Sequence, residues 1–236
     1  MMKGPEKRKD AILRLLLLIL LAGAVLAAGV YTWQSRRTLD FSENLKETVF
    51  ILNEEAVPLE QLGFYVAYEE RVVEEQAMLY YPENTKDYWN LHVDGTFVQL
   101  KAKEVVLEMA IHDRLFYQMA KEEGMTLNAQ EQKACENATM DFWMDLLDGQ
   151  RENMPVSDEY IVEAIRRAAL AQKYQKSLAE ENGKSYDSYD WDGNEYQHLK
   201  EEQDLTVCTS LWDRIHIGDV TLRHGSPDVI NGHAGT

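Results

Sequence analysis

The chain has 236 residues, 45% of them hydrophobic, and a formal net charge of −17. The charge is unevenly placed: residues 1–37 hold seven of the 24 Lys and Arg but two of the 41 Asp and Glu, leaving 17 basic and 39 acidic residues, a net of −22, in the rest. A body that acidic repels phosphate backbones and argues against nucleic-acid binding, and two cysteines, Cys135 and Cys208, are too few for a disulfide-built scaffold.

The opening MMKGPEKRKD is basic, and Leu15–Tyr31 is unbroken apolar sequence. Ala11–Trp33 is long enough to cross a bilayer. Lys3, Lys7, Arg8, Lys9 and Arg14 precede the span and Arg36 and Arg37 follow it, so the positive-inside bias places the N-terminus in the cytoplasm and the remainder outside. Ala22-Gly23-Ala24 has the small-x-small form of a signal-peptidase site. The apolar run continues past it to Tyr31 and Trp33, which suit a membrane interface, and this favours an uncleaved anchor.

Residues 34–47 read as a polar linker. Thr48–Leu52 reads as a short strand, with Asn53-Glu54-Glu55 as its turn. Pro58 suits the first position of a helix running to about Tyr80 and stopped by Pro82. A polar connection with Trp89, Leu91 and Val93 leads to the longest helix, Thr96–Gly124, which opens on a Thr96/Gln99 capping-box pattern. Leu100, Leu107, Ile111, Leu115 and Met119 form one apolar stripe on it. Val98, Val105, Met109 and Phe116 form a second, so this helix needs neighbours on two sides and reads as the hub of a helical lobe. Asn128 with Glu131 caps a helix reaching Gly149, and Pro155 with Ser157-Asp158-Glu159 opens another, stopped by Asn182-Gly183. After an acidic, turn-rich stretch and a short helical piece near Tyr196–Glu202, Leu205–Thr209 is the second strand-like run. A lone five-residue strand is unstable, so residues 48–52 are expected to pair with 205–209 and clasp the lobe shut. Residues 218–236 read as a disordered tail.

The order of these pieces resembles a known family. VFILNEEAVPLEQLGFYV, DYWNLHVDG, FYQMAKEEGMTLNAQEQ, PVSDEYI and LTVCTSLWDRI follow one another as in the chaperone lobe of SurA N-terminal-domain and PrsA-type foldases, a fold related to the trigger factor C-terminal domain. The resemblance covers residues 48–182, with a weaker match at 204–217. It departs in two ways: the chain has no lipidation cysteine, and residues 183–204 leave no room for the parvulin isomerase domain of roughly 90 residues that such foldases insert. The fold class expected is therefore mostly α: a membrane anchor helix (1–37) and linker (38–47), then a helical chaperone domain (48–217) clasped by a two-stranded β pairing.

Chemical motifs are scarce. If Gly193 is the sixth position of an EF-hand loop, Ser188 takes position one and Leu199 position twelve, so the two strongest calcium ligands are missing. The six histidines lack zinc spacing, and no phosphate loop or nucleophile motif appears, so neither cofactor, metal nor catalytic residue is expected. His112 reads as a partly buried packing residue. Cys135 and Cys208 lie outside the membrane, where a bridge between them stays an open alternative. In MDFWMDLL, Met140, Trp143, Met144 and Leu147 share one helical face while Phe142 and Leu146 point elsewhere. One reading is a helix sandwiched in a core; the other is a groove for unfolded clients, with Met140, Phe142, Trp143, Met144 and Leu146 as contacts. The function expected is a membrane-anchored, extracytoplasmic, ATP-independent chaperone for newly exported polypeptides, without isomerase activity. The alternatives are a scaffolding subunit of a membrane complex and a degenerate isomerase.

Overall fold

The apolar run TVFIL forms the first strand: Val49, Phe50 and Leu52 are buried at 0% exposure and Ile51 faces outward. The structure, a computed structural model, describes residues 38–222 with Leu20, Leu21 and His224. Apart from those two leucines, the span read at Ala11–Trp33 lies outside the described residues, among which no helix is long and apolar enough to cross a membrane. From β1 (Thr48–Leu52) the chain reverses through Asn53 (φ 49°) and Glu54 (φ 67°) into β2 (Glu55–Pro58), pairing Phe50 with Val57 and Leu52 with Glu55. Two successive left-handed residues match the twist of a two-residue hairpin. The clasp forms on the other edge of β1, where β5 (Leu205–Val207) pairs Phe50 with Val207 and Leu52 with Leu205. The sheet is thus three-stranded, in the order β2-β1-β5, rather than two-stranded. Residues 55–58, read as turn and helix start, become a strand because Val57 can then bury beside Phe50.

Pro58 therefore ends a strand and precedes a 3-10 turn, Leu59–Leu62; the first helix, α1, is Gly63–Tyr80. Gly63 sits so close to Val156 that a Cβ there would lie 2.7 Å from its side chain. After α2 (Thr85–Trp89) an unexpected hairpin pairs β3 (His92–Val93) with β4 (Thr96–Phe97) through Asp94 (φ 49°) and Gly95 (φ 89°), a sequence suited to such turns. Thr96 is thereby committed to a strand opposite Val93, so the expected capping box is absent and α3 (Val98–Glu122) starts at Phe97 without a side-chain cap. Gly124, at φ 69°, supplies the expected stop.

The Asn128 capping box does open α4 (Ala129–Asp145), but the helix breaks at Leu146, whose extended backbone turns its side chain into the core, and restarts as α5 (Asp148–Glu152). The next helix, α6 (Asp158–Asn182), ends at left-handed Gly183; a 3-10 turn (Tyr186–Tyr189), α7 (Asn194–Glu201) and, after β5, α8 (Thr209–Trp212) complete the order. The two 25-residue helices α3 and α6 pack together, with α1 against both and α4 against α6. Leu62, Val66, Val106, Leu115, Phe116, Ile161, Tyr196, Ile215 and Ile217 are essentially fully buried between them. Each such side chain contributes roughly 1.5–3 kcal/mol of apolar burial.

Both ends of the lobe reach further than the sequence reading placed them. Within residues 38–47, read as linker, Phe41 is buried and the Leu39 amide donates to the Arg214 carbonyl at 2.8 Å. The boundary drawn at 218 also moves. Thr221 is fully buried, and the Glu70 carboxylate accepts the amides of Gly218 (2.6 Å), Val220 (3.0 Å) and Thr221 (2.7 Å) together with the Thr221 hydroxyl. A β-carbon on Gly218, at φ 100°, would lie 2.8 Å from the Trp89 ring, so only glycine fits this crossing. Residue 223 and residues 225–236 lie outside the described residues.

Candidate functional site

Three helices leave one open trough. Its longest wall is α4, where Glu131, Cys135, Ala138, Phe142 and Asp145 recur at helical spacing. The fifteen helical residues from Glu131 to Asp145 extend roughly 20 Å at about 1.5 Å per residue. Phe64, Tyr68 and Arg71 of α1 form the opposing wall, and Ile165, Ala168, Ala169 and Gln172 of α6 the floor. The trough encloses about 480 Å³, within the size of pockets that take small ligands or a few large side chains.

Its surface is apolar because small and aromatic residues alternate around it. Phe64 stands 5.1 Å from Phe142 and 6.4 Å from Tyr68, ring centre to ring centre, making an aromatic wall above alanines. The Asn128 side chain accepts the amides of Gln130 and Glu131, each at 2.9 Å, and the Glu131 carboxylate answers the Asn128 amide at 2.6 Å, so the end of α4 is fixed. Lys173 of α6 reaches the same carboxylate at 2.8 Å, which holds the Glu131 carboxyl below its ordinary range and ties α4 to α6. Arg71 is paired with Glu75 at 2.9 Å and lies over the Tyr68 ring. Cys135 is buried in the trough wall, where burial pushes its thiol up, and Cys208 lies between β5 and α8; both thiols are free.

Of the five expected contacts, only Phe142 lines the trough. Leu146 is core at 2% exposure, Trp143 is half-buried with its ring 5.5 Å from that of Phe142, and Met140 and Met144 are 56% and 69% exposed outside the trough. The α1 and α6 walls went unread. Phe64, Tyr68 and Arg71 do form a stripe one residue off the Tyr65/Val66 core face, and Ala168-Ala169 beside Ile165 marks a small-residue floor.

Elsewhere the polar side chains are spent on one another. His112 is buried, with Nδ1 2.9 Å from an Asp113 carboxylate oxygen and Nε2 2.9 Å from the Tyr189 carbonyl, while the Tyr65 hydroxyl donates to Asp113 at 2.9 Å. Burial and the neighbouring Asp113 keep the Tyr65 phenol protonated far above its ordinary range. His112 is thus a buried packing residue, edge-on to Phe116 and Tyr196, and also the centre of a polar chain joining α1, α3 and the 186–189 turn. Gly193 serves a tight crossing, since a Cβ would lie 2.3 Å from the Ser188 carbonyl. Among the described residues no three His, Cys, Asp or Glu side chains converge as a metal site.

No protein-family model, curated protein or solved structure matches the chain. The likeness to the foldase lobe rests on the sequence motifs alone.

Proposed function

We propose that this protein is a membrane-anchored, extracytoplasmic chaperone that holds apolar segments of newly exported polypeptides in the α1–α4–α6 trough, without prolyl isomerase activity. The observation that carries the reading is the trough itself: an open, aromatic-walled, alanine-floored channel about four helical turns long, on a strongly acidic body. Such a surface binds apolar side chains with little demand on their sequence, and the like charge of the loaded particles opposes their aggregation. The connection over 183–204, where the foldases that the sequence resembles carry their isomerase domain, holds a 3-10 turn and one eight-residue helix. The N-terminal apolar segment is the anchor in this proposal.

The test uses the full chain in nanodiscs and follows light scattering by reduced, unfolding lysozyme. Wild type is expected to suppress aggregation. Ala138→Trp, which fills the trough from an exposed position on α4, is expected to abolish suppression, and Met144→Ser, outside it, to leave suppression intact. Proline-limited refolding is expected to keep its uncatalysed time of about 10–100 s. Absence of suppression by wild type overturns the proposal. If suppression depends on one partner protein and is not seen with unrelated clients, the scaffolding alternative replaces it.

A further inference from the structure

The charges around the trough are not balanced, and the imbalance is local. Glu131 is neutralised by Lys173, and Arg71 by Glu75. Asp141 and Asp145 stand one turn apart on the α4 wall, both exposed, and neither is ion-paired with a cation among the described residues. They flank Phe142, the aromatic residue against which Phe64 closes the trough. An apolar side chain seated on Phe64 and Phe142 thus has two carboxylates within the next turn of α4.

Resting on the peptide-binding reading above, we infer that the trough selects apolar segments carrying Lys or Arg beside the apolar residues. The apolar part would be held by the aromatic wall and the alanine floor. The basic side chains would lay their methylene stems on the trough edge and their charged heads against Asp141 and Asp145. Exposed ion pairs of this kind add little each, but they discriminate strongly between opposite charges because an acidic segment meets repulsion at the same place. The preference should be sensitive to salt, since both carboxylates lie at the surface.

The experiment measures fluorescence anisotropy of three peptides bearing a neutral dye, KKLFALFKK, QQLFALFQQ and EELFALFEE, against the full chain in nanodiscs of zwitterionic lipid. Wild type is expected to bind the basic peptide about tenfold more tightly than the acidic one at low salt, with the glutamine peptide between them, and to lose most of that ratio at about 0.5 M salt. The double variant Asp141→Asn with Asp145→Asn should reduce the ratio to about twofold, chiefly by weakening the basic peptide. Equal binding of basic and acidic peptides by wild type overturns the inference and leaves the peptide-binding reading standing. So does a full ratio in the double variant, which would place the selectivity elsewhere on the acidic body. If wild type binds none of the three peptides, the peptide-binding reading fails and this inference with it.

Discussion

The Glu70 carboxylate accepts the Gly218 amide at 2.6 Å across 148 residues of sequence, in the fully buried interior of the lobe. Burial pushes the Glu70 carboxyl up, and the bonds from Thr221, Val220 and Gly218 oppose that shift without cancelling it. Thr221 also accepts from Gln150 at 2.9 Å, and Gln150 donates to the Ala67 carbonyl at 3.0 Å. One carboxylate on α1 therefore holds the segment after α8, and α5 braces it. Glu70→Ala leaves three amides without acceptors and is expected to lower stability by about 2–4 kcal/mol, read from the urea midpoint. A change below about 0.5 kcal/mol would mean that water replaces the carboxylate there.

A second clasp lies one turn along α1. Glu74 accepts from the Trp89 indole at 2.8 Å and faces His224 at 3.3 Å. Burial pushes the Glu74 carboxyl up, but hydrogen bonds from His224, Thr85 and Trp89 outweigh it and hold the group below 4.5. Burial pushes His224 down, and the bond to Glu74 outweighs that, holding the imidazole above 6.5. The histidine's contribution is fully present below its ordinary value and lost as pH rises through its raised one. The carboxylate's is present above 4.5 and lost as pH falls through its depressed value. The pair is thus strongest between those limits. The stability gap between wild type and His224→Gln is expected to be largest between pH 4.5 and 6.5 and to shrink as pH rises through the histidine's raised value. A gap independent of pH would show that His224 acts by packing alone.

Glu69 tells the opposite story. Burial alone raises its carboxyl from 4.5 to about 7. Its protonated form is therefore favoured by folding, and that contribution is lost as pH rises from the ordinary value through about 7. Glu69→Gln should stabilise the protein by about 1–3 kcal/mol at pH 8 and have little effect at pH 5. Denaturation at the two pH values checks both halves of this statement.

The β1–β2 turn carries a small strain. Glu54 holds φ at 67° although it has a β-carbon and no side chain suited to that region. Glu54→Gly, giving the favoured Asn-Gly pair, is expected to add about 0.5–1 kcal/mol to stability. A loss would show that the Glu54 side chain contributes more than its backbone costs.

The elements legible in the sequence were those with a local cause. Asn128 and Glu131 cap α4 because both partners lie within four residues, and Gly124 and Gly183 stop helices by their own left-handed backbone. β1 was legible as a β-branched and aromatic run closed by turn residues, and its partnership with the run at 205–209, of which 205–207 pair, from the need of a short strand for a neighbour. What escaped was decided at a distance. Thr96 could cap a helix or pair with Val93, and only the Asp94-Gly95 turn tips it to the strand. Leu146 breaks α4 because its side chain gains the core, which no spacing within MDFWMDLL reveals. The same ambiguity mixed one trough residue, Phe142, with four that are not, since helical faces become inside or outside only when α1 and α6 are placed. The linker and tail looked irregular because their bonds run to Arg214 and to Glu70 rather than to near neighbours.

The clasp also sets a clock. Asn53, at the end of β1, accepts the Asp204 amide 151 residues later. At about 5–20 residues per second, synthesis takes on the order of 10–30 s to deliver that partner. Throughout that interval the edge of β1 that β5 later covers stands open. A chain stalled before Leu205 never closes at all, and its bare strand edge marks it to proteases and to other unfinished chains. Synthesis through Val207 is thereby written into the fold as the condition for sealing it.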